Sequence, residues 1–441
     1  MTIYKKVIRD PIYGYIGITH EQLCLINLPV FQRLRRISQL SFADFVYPNA
    51  THNRFSHSLG VMRLGRIASG YLKDTGIGEE LDLSTEEDYM TIEWAGLLHD
   101  IGHLPFSHVC EPVFAHFIDN TNVWKDYHVD LGSRIITNPE YGISEILGDE
   151  IAEKVPHLIK GESSVLSRHL TEIMTGISSI DRLDYLRRDA YHAGVPEYAI
   201  IDSDRIIKSL LIYPGDPLLS PIFKAKSLYA LEGVVLSYFY MYRTVYYHHT
   251  VRALCLLFQH TLWDAFEKYD LKDKLDDILT PEFWNHFDDH TFLGILRELN
   301  EDIRKSLERI VFRKLPKIVP ISKLNVGRIF RFLSNATFAE KMHIERMICE
   351  YLHEFGVEDV LLDSPIVIPY PRSSLAERAI YIWDETEKEP YNIAEDSPHM
   401  LTLSQVAEKQ LAARVYVYPP NLRSNERFID ELNEVIKTEV R

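Results

Sequence analysis

Residues 97–108 read LLHDIGHLPFSH. Three histidines and an aspartate stand inside a run of leucine, isoleucine and phenylalanine that otherwise looks like a buried helix end. Imidazole and carboxylate groups are costly to bury unless something pairs with them. A fold that buries this stretch must therefore bring partners to it from elsewhere in the chain. Neighbouring helical residues point about 100° apart, so His99 and Asp100 can grip one ion only together with ligands from other helices. His57, which opens HSLGVMRLG, and Asp181, in ISSIDRLDYLRRDAYHAG, are the candidates. Two imidazoles and two carboxylates suit a divalent metal (Mn²⁺, Fe²⁺, Zn²⁺ or Mg²⁺) with open positions for water, which is catalytic in style. A lone histidine on an apolar helix is more often a hydrogen-bonded core residue, so the weight rests on the combination.

The segment around Asp181 has its own geometry. Asp181, Tyr185 and Asp189 stand four residues apart and share one helix face, with His192 a further turn along. Such a face makes a poor core stripe and fits the wall of a polar cavity. Arg182, Arg187 and Arg188 flank it, placed to meet phosphate or to pair with nearby acids.

The rest of the chain reads as mainly α: a large helical body with a small C-terminal α+β appendage. Pro and Gly punctuate extended pieces around DPIYGYIGI. Helical spacing then takes over in LPVFQRLRRISQL, HSLGVMRLGRIASGYLKDTG and TIEWAGLLHDIGH, with Gly76 and Gly102 as stops. The apolar run from Ala230 to Phe266 suggests one long central helix. SPIVIPYP, RAIYIWD and ARVYVYPP read as strands beside amphipathic helices at 338–356 and 425–440. We divide the chain into an N-terminal segment 1–50, a helical core 51–320 and an α+β region 321–441.

Composition excludes several classes. No run of eighteen apolar residues is present, so no membrane span is expected, and the N-terminus lacks a signal-peptide pattern. Cys24, Cys110, Cys255 and Cys349 are scattered without CxxC spacing and read as reduced thiols. The expectation is a cytoplasmic protein. A net charge of −16 disfavours a nucleic-acid partner. Arg33, Arg35, Arg36 and Arg54 form local basic clusters that suit a small phosphorylated ligand or simply a solvated helix face.

Taken together, RFSHSLGV, AGLLHDIGHLPFSH and IDRLDYLRRD resemble the HD-domain phosphohydrolases, and more closely their deoxynucleoside triphosphate triphosphohydrolases. KVIRDPIYG, FQRLRRISQL, HFDDHTFLGIL, ERIVFRKL and ARVYVYPP extend the resemblance over most of the chain. It implies His57, His99, Asp100 and Asp181 as metal ligands and Arg54 as a phosphate contact. His103, His108 and His128 fall where that family lines its phosphate channel. His108 is the implied general acid, and Glu111 fills the place of an aspartate that tunes it. Gln39, Leu40 and Asp189 fall at the deoxyribose, where Gln39 and Asp189 match residues that bond a 3′-hydroxyl. Tyr185 lies under the sugar and leaves no room for a 2′-hydroxyl. Arg182 replaces a frequent lysine as a phosphate contact.

The implied reaction is attack of water on the α-phosphorus of a dNTP, giving a deoxynucleoside and inorganic triphosphate. The resemblance also implies a homotetramer with a nucleotide activator between subunits, held at Lys6, Val7, Gln32 and Arg35. Asn27 stands where the family has a guanine-reading aspartate. Two alternatives stay open: an HD phosphohydrolase for another nucleotide (a monophosphate, a ribonucleotide or a signalling nucleotide), and a regulatory protein whose pocket only senses nucleotide.

Overall fold

The computed structural model describes residues 3–76, 84–212, 222–275, 277–365, 380–393, 397–400, 402 and 413–440. The chain opens with an antiparallel hairpin, β1 (Lys6–Asp10) and β2 (Gly14–Ile18), in which Lys6 pairs with Ile18 and Asp10 with Gly14. The helical body follows. Its principal elements are α1 (Arg54–Thr75), α2 (Glu86–Leu98), α3 (Glu111–Phe117), α4 (Tyr127–Thr137), α5 (Ile180–Ala193), α6 (Leu228–Met241), α7 (His249–Lys268), α8 (Asp289–Leu299) and α9 (Glu301–Val311), with shorter helices between them.

Local chemistry sets the ends of these helices. Asn53 caps α1 by accepting the Ser56 N–H, and Gly76 closes it in the left-handed conformation, as the sequence predicts. Thr85 and Asp88 form a capping box on α2. Gly102 does not act as a helix stop: α2 ends at Leu98, and His99 is its C-cap. Gly102 instead permits a close crossing, since a Cβ there would lie 2.1 Å from the His128 carbonyl oxygen and 2.2 Å from Gly132 N.

The run from Ala230 to Phe266 is not one helix. It breaks into α6, a π-helical turn at Tyr242–Tyr246, and α7. Apolar periodicity continues through the break, which is why the sequence conceals it.

The C-terminal region holds α10 (Lys323–Asn335), α11 (Phe338–Tyr351) and α12 (Glu426–Glu439) against a three-stranded antiparallel sheet. That sheet has the order β5 (Lys317–Val319), β9 (Arg414–Tyr418), β6 (Asp359–Asp363). Val360, Leu362, Val415 and Val417 alternate onto a core shared with Ile329, Ile348, Phe428 and Leu432. On the sheet's other face Leu361 and Tyr416 pack on Ala253 and Leu256 of α7. A second sheet joins β3 (Leu210–Leu211) and β4 (Ile222–Lys224) of the body to β7 (Tyr381–Trp383) and β8 (Pro390–Asn392). Of the predicted strands, RAIYIWD supplies β7 and ARVYVYPP supplies β9; residues 378 and 379 and most of SPIVIPYP lie outside the described residues. Among the described residues no helix is long and apolar enough to cross a membrane.

Candidate active site

Three helix ends meet in the body. The first turn of α1 carries Arg54 and His57, the end of α2 carries His99 and then Asp100, and the first turn of α5 carries Asp181. His57 Nε2 lies 3.1 Å from His99 Nε2 and 3.0 Å from Asp181 Oδ1. His99 Nε2 is 3.3 Å from Asp100 Oδ1 and 3.6 Å from Asp181 Oδ1. Asp100 and Asp181 thus each approach the His57–His99 pair, one from the end of α2 and one from the start of α5.

The donor set fits a divalent cation. His57 Nδ1 faces Asp184 Oδ2 at 2.7 Å, and His99 Nδ1 faces the Gly96 carbonyl oxygen at 3.0 Å. Each Nδ1 therefore carries the proton, and both Nε2 lone pairs are turned inward. With lone pairs on both Nε2 atoms, two imidazoles and two carboxylates suit a divalent cation between them. Metal–ligand distances of about 2.0–2.2 Å put adjacent ligand atoms about 3 Å apart, which is the spacing seen here. Burial disfavours the charged form of Asp100, yet Arg54, His99 and His103 outweigh it and hold the carboxyl well below its usual range. His57, His99 and Asp100 are buried, whereas the Asp181 side chain is 35% exposed, so the site opens on the α5 side.

A second cluster adjoins the first. Glu111 Oε1, at the start of α3, lies 3.0 Å from the Nδ1 atoms of both His108 and His128 and 3.6 Å from His103 Nδ1. The His103 and His128 rings stack at 3.9 Å. His103 also links the clusters, its Nε2 standing 3.2 Å from Asp100 Oδ1. Burial would raise the Glu111 carboxyl, but the His108 and His128 rings hold it well below the usual range. Burial, Arg54 and His128 together push His103 well below the ordinary imidazole value, against the pull of Asp100. The His108 side chain is 62% exposed.

Other residues named from the sequence are less free. Arg54 donates to Asp100 Oδ2 and Ser107 Oγ, both at 2.8 Å. Arg182 donates to the Ile177 carbonyl oxygen and lies 4.9 Å from the Tyr238 ring centre, with its Nε buried and unpartnered. Both oxygens of Asp189 are engaged at 2.7 Å, one by His52 Nε2 and one by the Tyr246 hydroxyl. Tyr185 sits 6.4 Å from the Tyr246 ring. The Gln39 side-chain oxygen is buried with no partner, and Leu40 is half-buried beside it. His192 stacks on His52 at 4.4 Å.

The expected activator contacts fall into two groups. Gln32 Oε1 accepts from Arg35 Nε at 2.9 Å, and the Arg35 guanidinium lies 3.5 Å from the Phe55 ring centre. Lys6 and Val7 are exposed on β1, and Asn27 is exposed at the end of the helix His20–Ile26. The basic cluster of Arg33, Arg35 and Arg36 is largely structural. Arg33 is fully buried, donating to the Phe287 and His103 carbonyl oxygens, and Arg36 pairs with Asp288.

The sequence reading missed Asp184, His52, Tyr246, Asp10 and Asp289. Asp184 had one local signal, Arg188 four residues later on the same helix; the others find their partners only through the fold.

Comparison with known proteins agrees with this geometry. Residues 54–189 match the HD domain, and residues 201–439 match the HD associated region. An uncharacterized protein of Methanocaldococcus jannaschii is 28% identical over 98% of this chain and 84% of its own. The deoxynucleoside triphosphate triphosphohydrolase SAMHD1 of Gallus gallus is 30% identical over 71% of this chain, which spans only 56% of that relative's length. The crystal structure of a phosphohydrolase from Bacteroides thetaiotaomicron superposes with a TM-score of 0.69 at 25% identity, covering 94% of this chain and 99% of that one. With more than half its length matching the HD associated region and the metal-binding His/Asp cluster in place, the chain belongs to the HD-superfamily phosphohydrolases.

Proposed function

We propose that this chain hydrolyses deoxynucleoside triphosphates to the deoxynucleoside and inorganic triphosphate. The layout of α5 carries the reading. Asp181, Tyr185 and Asp189 follow one another along one face at about 6 Å per step, so a phosphate held at the metal end places its sugar over Tyr185. The Tyr185 ring then closes the space a 2′-hydroxyl needs, and the 3′-hydroxyl donates to Asp189 and accepts from the Gln39 side-chain amide, with Leu40 against the ring. The triphosphohydrolase relatives support the same substrate class.

A bound divalent cation supplies Lewis acidity and lowers the pKa of water at the site. The chain's own residues do the rest. Arg54 and Arg182 hold phosphate oxygens, and His103 and His128 line the path of the triphosphate. Water adds to the α-phosphorus and sheds a proton to solvent, the bond to the 5′-oxygen breaks, and protonated His108 gives that oxygen a proton and is reprotonated from solvent. Glu111 fixes the His108 Nδ1 and leaves Nε2 to face the substrate. Lys6, Val7, Asn27, Gln32 and Arg35 form the contacts of a nucleotide activator in a homotetramer acting in the cytoplasm. The Gln32–Arg35–Phe55 stack supports this, because Phe55 stands next to Arg54 at the head of α1.

The test is a product assay on purified protein with Mn²⁺, using each dNTP and each NTP alone and in pairs, resolved by ion exchange. Deoxynucleoside plus triphosphate from dNTPs is expected, with stimulation in some pairs. Release of phosphate or pyrophosphate only, or equal cleavage of ribonucleotides, overturns the reading.

A further inference from the structure

Behind His57 runs a buried chain of charges that none of the proposed chemistry uses. Asp184 Oδ2 holds His57 Nδ1 at 2.7 Å. Arg188 grips Asp184 through Nε at 2.8 Å and Nη2 at 3.0 Å, and its Nη1 reaches Asp10 Oδ2 at 2.7 Å. Asp10 ends β1, and its other oxygen accepts the Ile12 and Tyr13 N–H groups, each at 2.9 Å, closing the hairpin turn. The side chains of Asp184 and Arg188 are 0% exposed and that of Asp10 is 4% exposed. Space is reserved for them: a Cβ on Gly60 of α1 would lie 1.9 Å from Asp184 Oδ1 and 2.4 Å from Arg188 Nη2.

A buried pair of this kind seldom adds net stability over apolar residues of the same volume. What it does fix is direction. Both oxygens of the Asp184 carboxylate are held by the fork of the Arg188 guanidinium, which fixes Oδ2 toward His57. That interaction selects the tautomer whose Nε2 lone pair points at the metal position. The far end of the guanidinium is anchored on the N-terminal hairpin, 178 residues away in sequence.

We propose that Asp184, Arg188 and Asp10 form a positioning relay through which the β1–β2 hairpin sets the orientation of His57 and hence the affinity of the metal centre. The proposal rests on His57 as a metal ligand and not on the identity of the substrate. The same strand carries Lys6 and Val7 near its other end, so anything that moves β1 also acts on the metal through this relay.

The test is metal titration of the full-length, metal-stripped protein with Mn²⁺. Asp10→Asn touches no ligand, yet it should weaken Mn²⁺ binding about tenfold; Asp184→Asn should weaken it further. A merely structural role for Asp10 would lower the thermal midpoint of the metal-free protein and leave the Mn²⁺ dissociation constant unchanged, and that result overturns the proposal. Should the variants fail to fold, ¹⁵N-histidine NMR of the unaltered protein loaded with Zn²⁺ decides. A protonated Nδ1 and metal-bound Nε2 on His57 are expected, and the opposite tautomer overturns the relay. A chain that keeps its metal but leaves dNTPs intact would sink the proposed substrate and leave the relay standing.

Discussion

The carboxylate of Asp289 accepts the backbone N–H of Phe106 at 2.8 Å, across 183 residues of sequence. Its other oxygen takes the Ser38 N–H at 2.9 Å. Phe106 and Ser107 both adopt left-handed backbone, at φ 56° and 53°, immediately before His108. Two consecutive non-glycine residues in that region need external support. Asp289 thus clamps the loop bearing His108 to the segment bearing Gln39.

Asp289→Asn keeps one acceptor and turns an amide N–H toward the other donor. We expect turnover to fall tenfold or more with bound metal unchanged, and stability to fall by about 1–3 kcal/mol. Steady-state kinetics alongside metal analysis checks this; undiminished turnover would remove Asp289 from the account.

Gly60→Ala offers a test of opposite sign to ordinary expectation. In a helix interior glycine-to-alanine gains up to about 1 kcal/mol. Here the new methyl group meets the Asp184–Arg188 pair, so the variant should lose at least about 2 kcal/mol. Chemical denaturation of both proteins reads the sign directly, and a stabilised variant would mean the pair yields without cost.

These features differ in how far the sequence disclosed them. His57, His99 and Asp100 were legible because each lies in a compact local pattern, and Asp181 because its helix face is too polar for a core. Asp10, Asp289 and His52 were not, because their partners lie 178, 183 and 137 residues away and only the packed fold joins them. The helical body was legible from apolar spacing. The π-helical turn that delivers Tyr246 to Asp189 was not, since hydrophobic periodicity runs through it unbroken. Gly102 carried the right residue for a helix stop and serves instead as the crossing point with α4.

Sugar recognition makes its own prediction. Tyr185→Ala opens the space under the ribose, so the preference for dNTP over the matching NTP should shrink by at least tenfold, mainly through faster ribonucleotide cleavage. Paired kcat/KM measurements check it. An unchanged ratio would move the discrimination to another residue.

His169 should contribute to acid sensitivity. This imidazole is 4% exposed, with Ser84 Oγ 3.3 Å from its Nε2, and burial lowers its pKa from 6.5 to about 4. The unfolded chain therefore takes up the proton first. The resulting stability is complete above about pH 6.5 and is lost as pH falls toward 4, by at most about 3 kcal/mol. Denaturation midpoints from pH 7 to 4 should fall less steeply in His169→Gln than in the parent. Parallel curves would contradict the assignment.

We propose that water attacks the α-phosphorus of a dNTP at the site formed by His57, His99, Asp100 and Asp181. Hydrolysis in ¹⁸O-water tests it most directly, with the products separated and weighed by mass spectrometry. We predict one ¹⁸O in the inorganic triphosphate and none in the deoxynucleoside. Label in the deoxynucleoside, or label in a monophosphate or free phosphate with no triphosphate formed, would contradict it.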